Sequence, residues 1–179
     1  MTEMRPVTDP EFWRKRLVKA HATGRGLHTA VYDTNTGAWE SAQRHSAKVY
    51  RKHFLLGGPR VLDAGCGFGA SCLLMPAGVR YVGIDISPDL IEVARERYLG
   101  AEFVVGDLSQ LPADWGRFDW AVCRSIRKML IREKSEDYWN RVRDNLLSVA
   151  GRILVMEYED LPAHEVLTRT GSRTFTDVR

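Results

Sequence analysis

Residues 61–70 read VLDAGCGFGA. A short apolar strand, Arg60 to Ala64, runs straight into glycines at 65, 67 and 69, with Asp63 two places before the first of them. Glycine at a strand end lets the backbone turn sharply and lets a ligand lie almost against the main chain. Taken alone the turn is ambiguous, because dinucleotide-binding enzymes carry one too. The chain that follows is more informative. A short helix near Ser71 to Pro76 leads to a second strand, Arg80 to Ile84. Ser87 as cap and Pro88 in the first turn open a helix to Leu99, with Leu90, Ile91, Ala94 and Tyr98 on one face. Glu102 to Val105 and Phe118 to Cys123 are further strands. Ser135 caps a helix carrying Tyr138, Val142, Leu146 and Val149, which Gly151 ends, and Arg152 to Tyr158 is a fifth strand. Strands alternating with helices imply an α/β fold, a doubly wound, mostly parallel sheet with helices on both faces. Ligands in such sheets sit beyond the carboxyl ends of the strands, where strand order switches.

Upstream of the glycines the grammar is helical. Asp9 and Pro10 read as cap and first position of a helix to Ala22, with Phe12, Trp13, Leu17 and Ala20 on one side. A loop from Thr23 to Gly37 contains His28, Tyr32 and Asp33. A second helix, Trp39 to Phe54, turns Trp39, Ala42, Val49 and Tyr50 toward a core and aligns Arg44, Lys48, Arg51 and Lys52 in one solvated stripe. Gly57, Gly58 and Pro59 then break the chain. Residues 1–59 are thus expected to form a helical cap, and residues 60–179 the α/β core, of one compact domain.

A chain of 179 residues, 44% hydrophobic and 27% charged, suits one globular domain and argues against disorder or coiled coil. Its apolar runs are strand-sized, too short for a membrane span, and MTEMRPVTDPEFW has no apolar leader region. Cys66, Cys72 and Cys123 form no metal-ligand spacing and cannot all pair, which predicts reduced thiols, a cytoplasmic protein and no metal. Charge is uneven: residues 1–60 carry eleven Lys and Arg against five Asp and Glu, and residues 61–160 carry twelve against sixteen. A basic third beside an acidic middle suggests two surfaces with different jobs.

Two further acids follow strand ends. Asp85 closes YVGID, 22 residues after Asp63, at a strand end where a carboxylate can accept from both hydroxyls of a ribose. Asp107 follows the third strand, in EFVVGDL, where a carboxylate can accept from the exocyclic amine of an adenine and the Leu108 amide would be free to read the neighbouring ring nitrogen. A nicotinamide dinucleotide site would want GxGxxG; here the third glycine comes one place early, and neither Asp63-Ala64-Gly65 nor Asp107 has a role in it.

The run from Val61 to Tyr158 resembles the class I S-adenosylmethionine-dependent methyltransferases over about 100 residues. The matching pieces are DAGCGFG, GIDIS, VVGDLSQLP, FDWAVC and GRILVMEY, in the family's order. The N-terminal wording FW…LH…VYD…W is also similar to small bacterial and phage methyltransferases of unassigned substrate. The resemblance implies a Rossmann-like methyltransferase fold that takes S-adenosyl-L-methionine and releases S-adenosyl-L-homocysteine. Position by position, Gly65, Cys66 and Gly67 would pass under the methionine part, with Asp63 organising its amino group directly or through water. Asp85 would hold the ribose, Ile86 would pack on the adenine face, and Asp107 and Leu108 would fix its edge. Arg124 and Ser125 would receive the methionine amino group, and Tyr32 would help close the site.

Methyl transfer from a sulfonium mainly requires alignment, so little dedicated machinery is expected. A base is needed only where the acceptor must lose a proton. After strand four the chain reads CRSIRKM, without the Asn- or Asp-Pro-Pro-aromatic motif of exocyclic-amine DNA methyltransferases, and Cys123 lacks the preceding proline of a cytosine-C5 nucleophile. Nucleic acid as acceptor is therefore unsupported by motif. The catalytic candidates are His28, Tyr32, Arg124 and Glu157, with Tyr158 beside them. Arg124, Arg127 and Lys128 favour an anionic or phosphorylated small acceptor, whereas the five tryptophans read as core packing.

Family members usually follow strand five with a helix and a strand pair. Only 21 residues follow Tyr158, and GSRTFTDVR reads as the lead-in to that helix. The expectation is a sheet lacking the C-terminal strand pair, with strand five an exposed edge open to self-association. The short end also raises the alternative of a cofactor-binding partner or regulator without turnover.

Overall fold

The computed structural model describes residues 7–24, 26–31, 36–112, 115–158 and 162–176. Three helices come first, α1 (Pro10–Thr23), α2 (His28–Val31) and α3 (Thr36–Phe54). Then come β1 (Arg60–Ala64), a single 3₁₀ turn at Cys72–Leu74, β2 (Arg80–Asp85), α4 (Pro88–Arg97), β3 (Glu102–Val105) and β4 (Phe118–Arg124). The remainder is α5 (Arg127–Glu133), α6 (Glu136–Val149), β5 (Ala150–Met156), β6 (Ala163–Thr168) and β7 (Gly171–Thr176). The expected caps form: Asp9 accepts from the Glu11 N–H, Ser87 from the Leu90 N–H and Ser135 from the Tyr138 N–H. Each ties up an amide that the first helical turn leaves unpaired. Gly151 is not a helix cap; α6 passes through Ala150 directly into β5, with no loop between them.

The sheet has strand order β3-β2-β1-β4-β5-β6-β7. The first five strands are parallel, and order reverses between β1 and β4, so the switch point lies where the glycine turn leaves β1. Residues of β1 alternate between faces. Val61 joins Trp120, Val122, Leu154 and Met156 under the fully buried Val49, Tyr50 and Phe54 of α3. Leu62 and Ala64 join Ala121, Ile153 and Val155 under Val142 and Leu146 of α6. Each large apolar side chain so buried contributes roughly 1.5–3 kcal/mol. The second half of α3 is accordingly a layer of the sheet's core, while its first half stands at the carboxyl ends of the strands.

The expectation of a missing strand pair is overturned. β6 pairs antiparallel with β5 (Ile153↔Leu167), and β7 pairs antiparallel with β6 (His164↔Phe175). No helix separates β5 from β6 among the described residues; the chain meanders back at once. The Arg169 guanidinium at the β6–β7 turn donates to the Leu147 carbonyl, placing a cation at the C-terminal end of α6. Because β6 occupies the edge of β5, that edge is not open to pairing with a second copy, and the residues after Tyr158 supply the two antiparallel strands β6 and β7. Among the described residues no helix is long and apolar enough to cross a membrane. The three cysteines are free.

Candidate active site

The tips of β1, β2 and β3 are wired together by backbone hydrogen bonds. The Gly65 and Cys66 N–H groups both donate to the Ile84 carbonyl (2.8 and 3.0 Å), and the Gly106 N–H donates to the Asp85 carbonyl (2.9 Å). Gly65 (φ +71°) and Gly67 (φ +55°) take left-handed conformations, and a Cβ on Gly65 would stand 2.8 Å from the Ile126 side chain. Only glycine fits a turn of that hand pressed against a neighbour.

Above these tips lies a cavity with about 760 Å³ of empty space, part of it open to solvent. Eight of the residues expected to meet the cofactor line it: Gly65, Gly67, Asp85, Ile86, Asp107, Leu108, Arg124 and Ser125. Asp85 is 9% exposed. Its Oδ2 accepts from the Gly67 N–H and its Oδ1 from the Ser87 N–H, both at 2.9 Å. Burial pushes this carboxyl above its ordinary range, opposed by those backbone donors. The same contacts hold the glycine turn to the β2 tip. Asp107 folds into an Asx turn, with Oδ1 accepting from the Ser109 N–H at 2.7 Å and, more loosely, from the Tyr138 hydroxyl at 3.4 Å. Asn145 of α6 fixes that turn from below by donating to the Leu108 and Ser109 carbonyls (3.3 and 2.6 Å).

Other expected residues lie elsewhere. Asp63 is 1% exposed and does not line the cavity. It sits beneath the turn, accepting from the Tyr81 hydroxyl at 2.6 Å, and burial raises its pKa to about 6. The Cys66 side chain likewise turns inward, onto Gly83, and burial pushes its thiol well up. Burial does the same to Cys123, which is fully enclosed in β4. His28 stacks on Trp39 (ring centroids 5.6 Å apart) in a separate open depression with Phe68 and Tyr98, and not in the cavity. Tyr32 falls outside the described residues.

Arg124 stands at the cavity's edge, donating to the side-chain Oε1 of Gln43 on α3 and lying over the Trp39 ring at 5.4 Å. With Ser125 it also lines a second, smaller hollow that holds Trp39, Ser46, Glu157 and Tyr158. Glu157 is buried, accepting from the Lys128 N–H at 3.2 Å with the Arg127 Nε 3.8 Å away. Arg127 also bonds Glu165 of β6. That guanidinium therefore bridges two carboxylates and ties α5 to the sheet, instead of facing an anionic acceptor.

Several lining residues are not among the site residues expected from the sequence. Val7, Thr8 and Trp13 close one side, with the Trp13 Nε1–H donating to the Val7 carbonyl at 2.9 Å. Met129 and Leu130 come from α5, an unexpected helix, and Tyr138 from what reads as a core face of α6. Tyr138 and Trp13 each carry a signal on an otherwise apolar stripe, since a buried hydroxyl or indole N–H needs a polar partner.

The methyltransferase domain family matches residues 61–163, more than half of the chain and the same span that holds the three tips. The chain belongs to this family. It is a class I S-adenosylmethionine-dependent methyltransferase by family and fold. The ubiquinone/menaquinone biosynthesis C-methyltransferase UbiE of Citrifermentans bemidjiense is 34% identical to it over 119 residues, 60% of this chain and 49% of that protein. The magnesium-protoporphyrin O-methyltransferase of Rhodobacter capsulatus is 42% identical over 73 residues, 37% of this chain and 32% of the relative. The crystal structure of magnesium protoporphyrin IX methyltransferase from Synechocystis PCC 6803 with bound SAM matches at a TM-score of 0.54 and 27% identity, over 66% of this methyltransferase and 58% of that chain. The chain spans less than half the length of these two curated relatives.

Proposed function

We propose that the chain binds S-adenosylmethionine in the large cavity and transfers its methyl group to a small or phosphate-bearing acceptor entering beside Arg124. The observation that carries this reading is the convergence of Asp85, Asp107 and the Arg124–Ser125 backbone on one cavity above a turn that only glycine fits. Asp85 would accept from the ribose hydroxyls through lone pairs left over from the Gly67 and Ser87 N–H groups. Ile86 would pack on the adenine face, Asp107 would accept from its amine, and the Leu108 amide would read the neighbouring ring nitrogen. Gly65 and Gly67 would admit the amino-acid tail against bare backbone, with the Arg124 carbonyl receiving its amino group. Asp63, Cys66 and Asn145 would act from beneath, by holding the turns.

When bound, the cofactor supplies a methyl group on a positively charged sulfur, ready for in-line attack. This chain's part is then to hold the acceptor in line, a task worth up to ~7–11 kcal/mol in favourable cases. The smaller hollow with Trp39, Ser46 and Glu157 adjoins the cavity through Arg124 and Ser125, so the reacting group of an acceptor held at that edge would face it. Glu157 would orient a hydroxyl or amine there, or take its proton. The segment 1–59 would form the acceptor-side cap, contributing Trp13 over the cavity and Trp39 and Gln43 at its edge. Two of the relatives are named for a quinone pathway and a porphyrin, which is compatible with a small-molecule acceptor, while others are named for 18S rRNA and an acyl-carrier protein. The free thiols are compatible with a reducing cytoplasm.

Incubation with methyl-labelled S-adenosylmethionine and fractionated metabolite, RNA and protein extracts tests the reading. Label is expected to move into the small-molecule fraction. Label confined to RNA or protein would overturn the acceptor class, and no transfer to any fraction would overturn turnover.

A further inference from the structure

At the tip of β4 the backbone adopts a conformation taken by no other described non-glycine residue: Ser125 has φ +60°. The left-handed region disfavours a residue with a Cβ, and such departures cluster at functional sites. A glycine would take this turn freely, so the turn alone does not explain a serine. The Ser125 N–H donates to the Met156 carbonyl at 2.8 Å, and its Oγ accepts from the Tyr158 N–H at 3.2 Å. These two bonds bracket Glu157. Ser125 also belongs to the shared wall of the two hollows, with the glycine turn, Asp85 and Asp107 on one side and Trp39, Ser46 and Glu157 on the other.

We propose that Ser125 is a positioning residue, whose Oγ locks the acceptor-side chain at 157–158 to the cofactor-side tip of β4. The inference rests on the cofactor reading above. The left-handed turn presents the Arg124–Ser125 peptide to the large cavity, and the hydroxyl keeps it there by holding the Tyr158 amide. Without that bond the turn still forms, but the end of β4 shifts against the end of β5 and the cofactor's amino-acid tail loses a fixed partner.

Ser125→Gly, Ser125→Ala and Ser125→Asn, each measured for melting temperature and for S-adenosylhomocysteine affinity by calorimetry, separate this role from a structural one. Asn tolerates the left-handed region and carries an oxygen acceptor. The Gly variant is expected to melt at least as high as the Ala variant, yet both bind S-adenosylhomocysteine at least fivefold more weakly than wild type. The Asn variant stays within about twofold of wild type. A Gly variant that binds as well as wild type, or an Asn variant as weak as Gly, overturns the role of Oγ. A wild-type chain that fails to bind overturns the cofactor reading and this inference together.

Discussion

Asp63 shows how a residue type is legible while its environment is not. An acid two places before the glycines points to the ligand, but the alternation of β1 puts its side chain on the face shared with Tyr81, beneath the turn. Desolvation dominates there and raises the pKa from 3.8 to about 6, against the Tyr81 hydrogen bond and the nearby Arg124. A carboxyl whose folded pKa lies above its unfolded value opposes folding once ionised. For Asp63 that penalty is roughly 3 kcal/mol above pH 6 and fades as pH falls toward 4. Asp63→Asn keeps an acceptor for Tyr81 and removes the charge. We expect it to melt higher than wild type at pH 7.5, with the advantage shrinking steadily to pH 4.5. A pH-independent difference in melts across that range would show that Asp63 is not the titrating group. Asp85, Asp107 and the glycines were legible because each sits directly at a strand end, where the direction of the chain settles what the residue faces.

At the scale of elements, the parallel core was readable because its strands are apolar runs between helices with clear caps. The C-terminal pair was missed although AHEVLT and GSRTFT carry β-branched residues in alternation around a turn ending at Gly171. Polar outer positions such as Arg173 and Thr174, suited to a sheet edge, disguised the strands as a helix lead-in. α5 escapes a periodicity reading because seven residues span only two turns; strong helix formers (Arg127, Lys128, Met129, Leu130) favour it, and the Arg127 bridge to Glu157 and Glu165 ties it to the sheet. Leu167 is 9% exposed opposite Ile153 and anchors β6 in the core. Leu167→Ala should cost about 2–4 kcal/mol in denaturant unfolding. Replacement at Thr174 on the outer strand should cost under about 0.5 kcal/mol. Equal, small effects at both positions would mean that β6 is not part of the cooperative core.

Across the whole molecule the site is assembled from both ends of the sequence. Residues 65–125 supply the floor, all within the span that matches the family. Trp13, Trp39 and Gln43 from α1 and α3, and Tyr138 and Asn145 from α6, supply sides and support. Those contributions are set by how helices pack, which residue spacing does not encode, and so the floor of the cavity at the strand tips is legible in the sequence while its walls are not. Titration calorimetry with S-adenosylhomocysteine and, separately, NAD, on wild type and on Asp85→Ala and Asp107→Ala, reaches the central claim most directly. Hydrogen bonds to a charged group contribute about 1.5–3 kcal/mol each, so each variant should bind S-adenosylhomocysteine at least tenfold more weakly than wild type. Wild type should show one site for S-adenosylhomocysteine and none for NAD. Binding of NAD instead, or affinity for S-adenosylhomocysteine unchanged in both variants, would contradict the account.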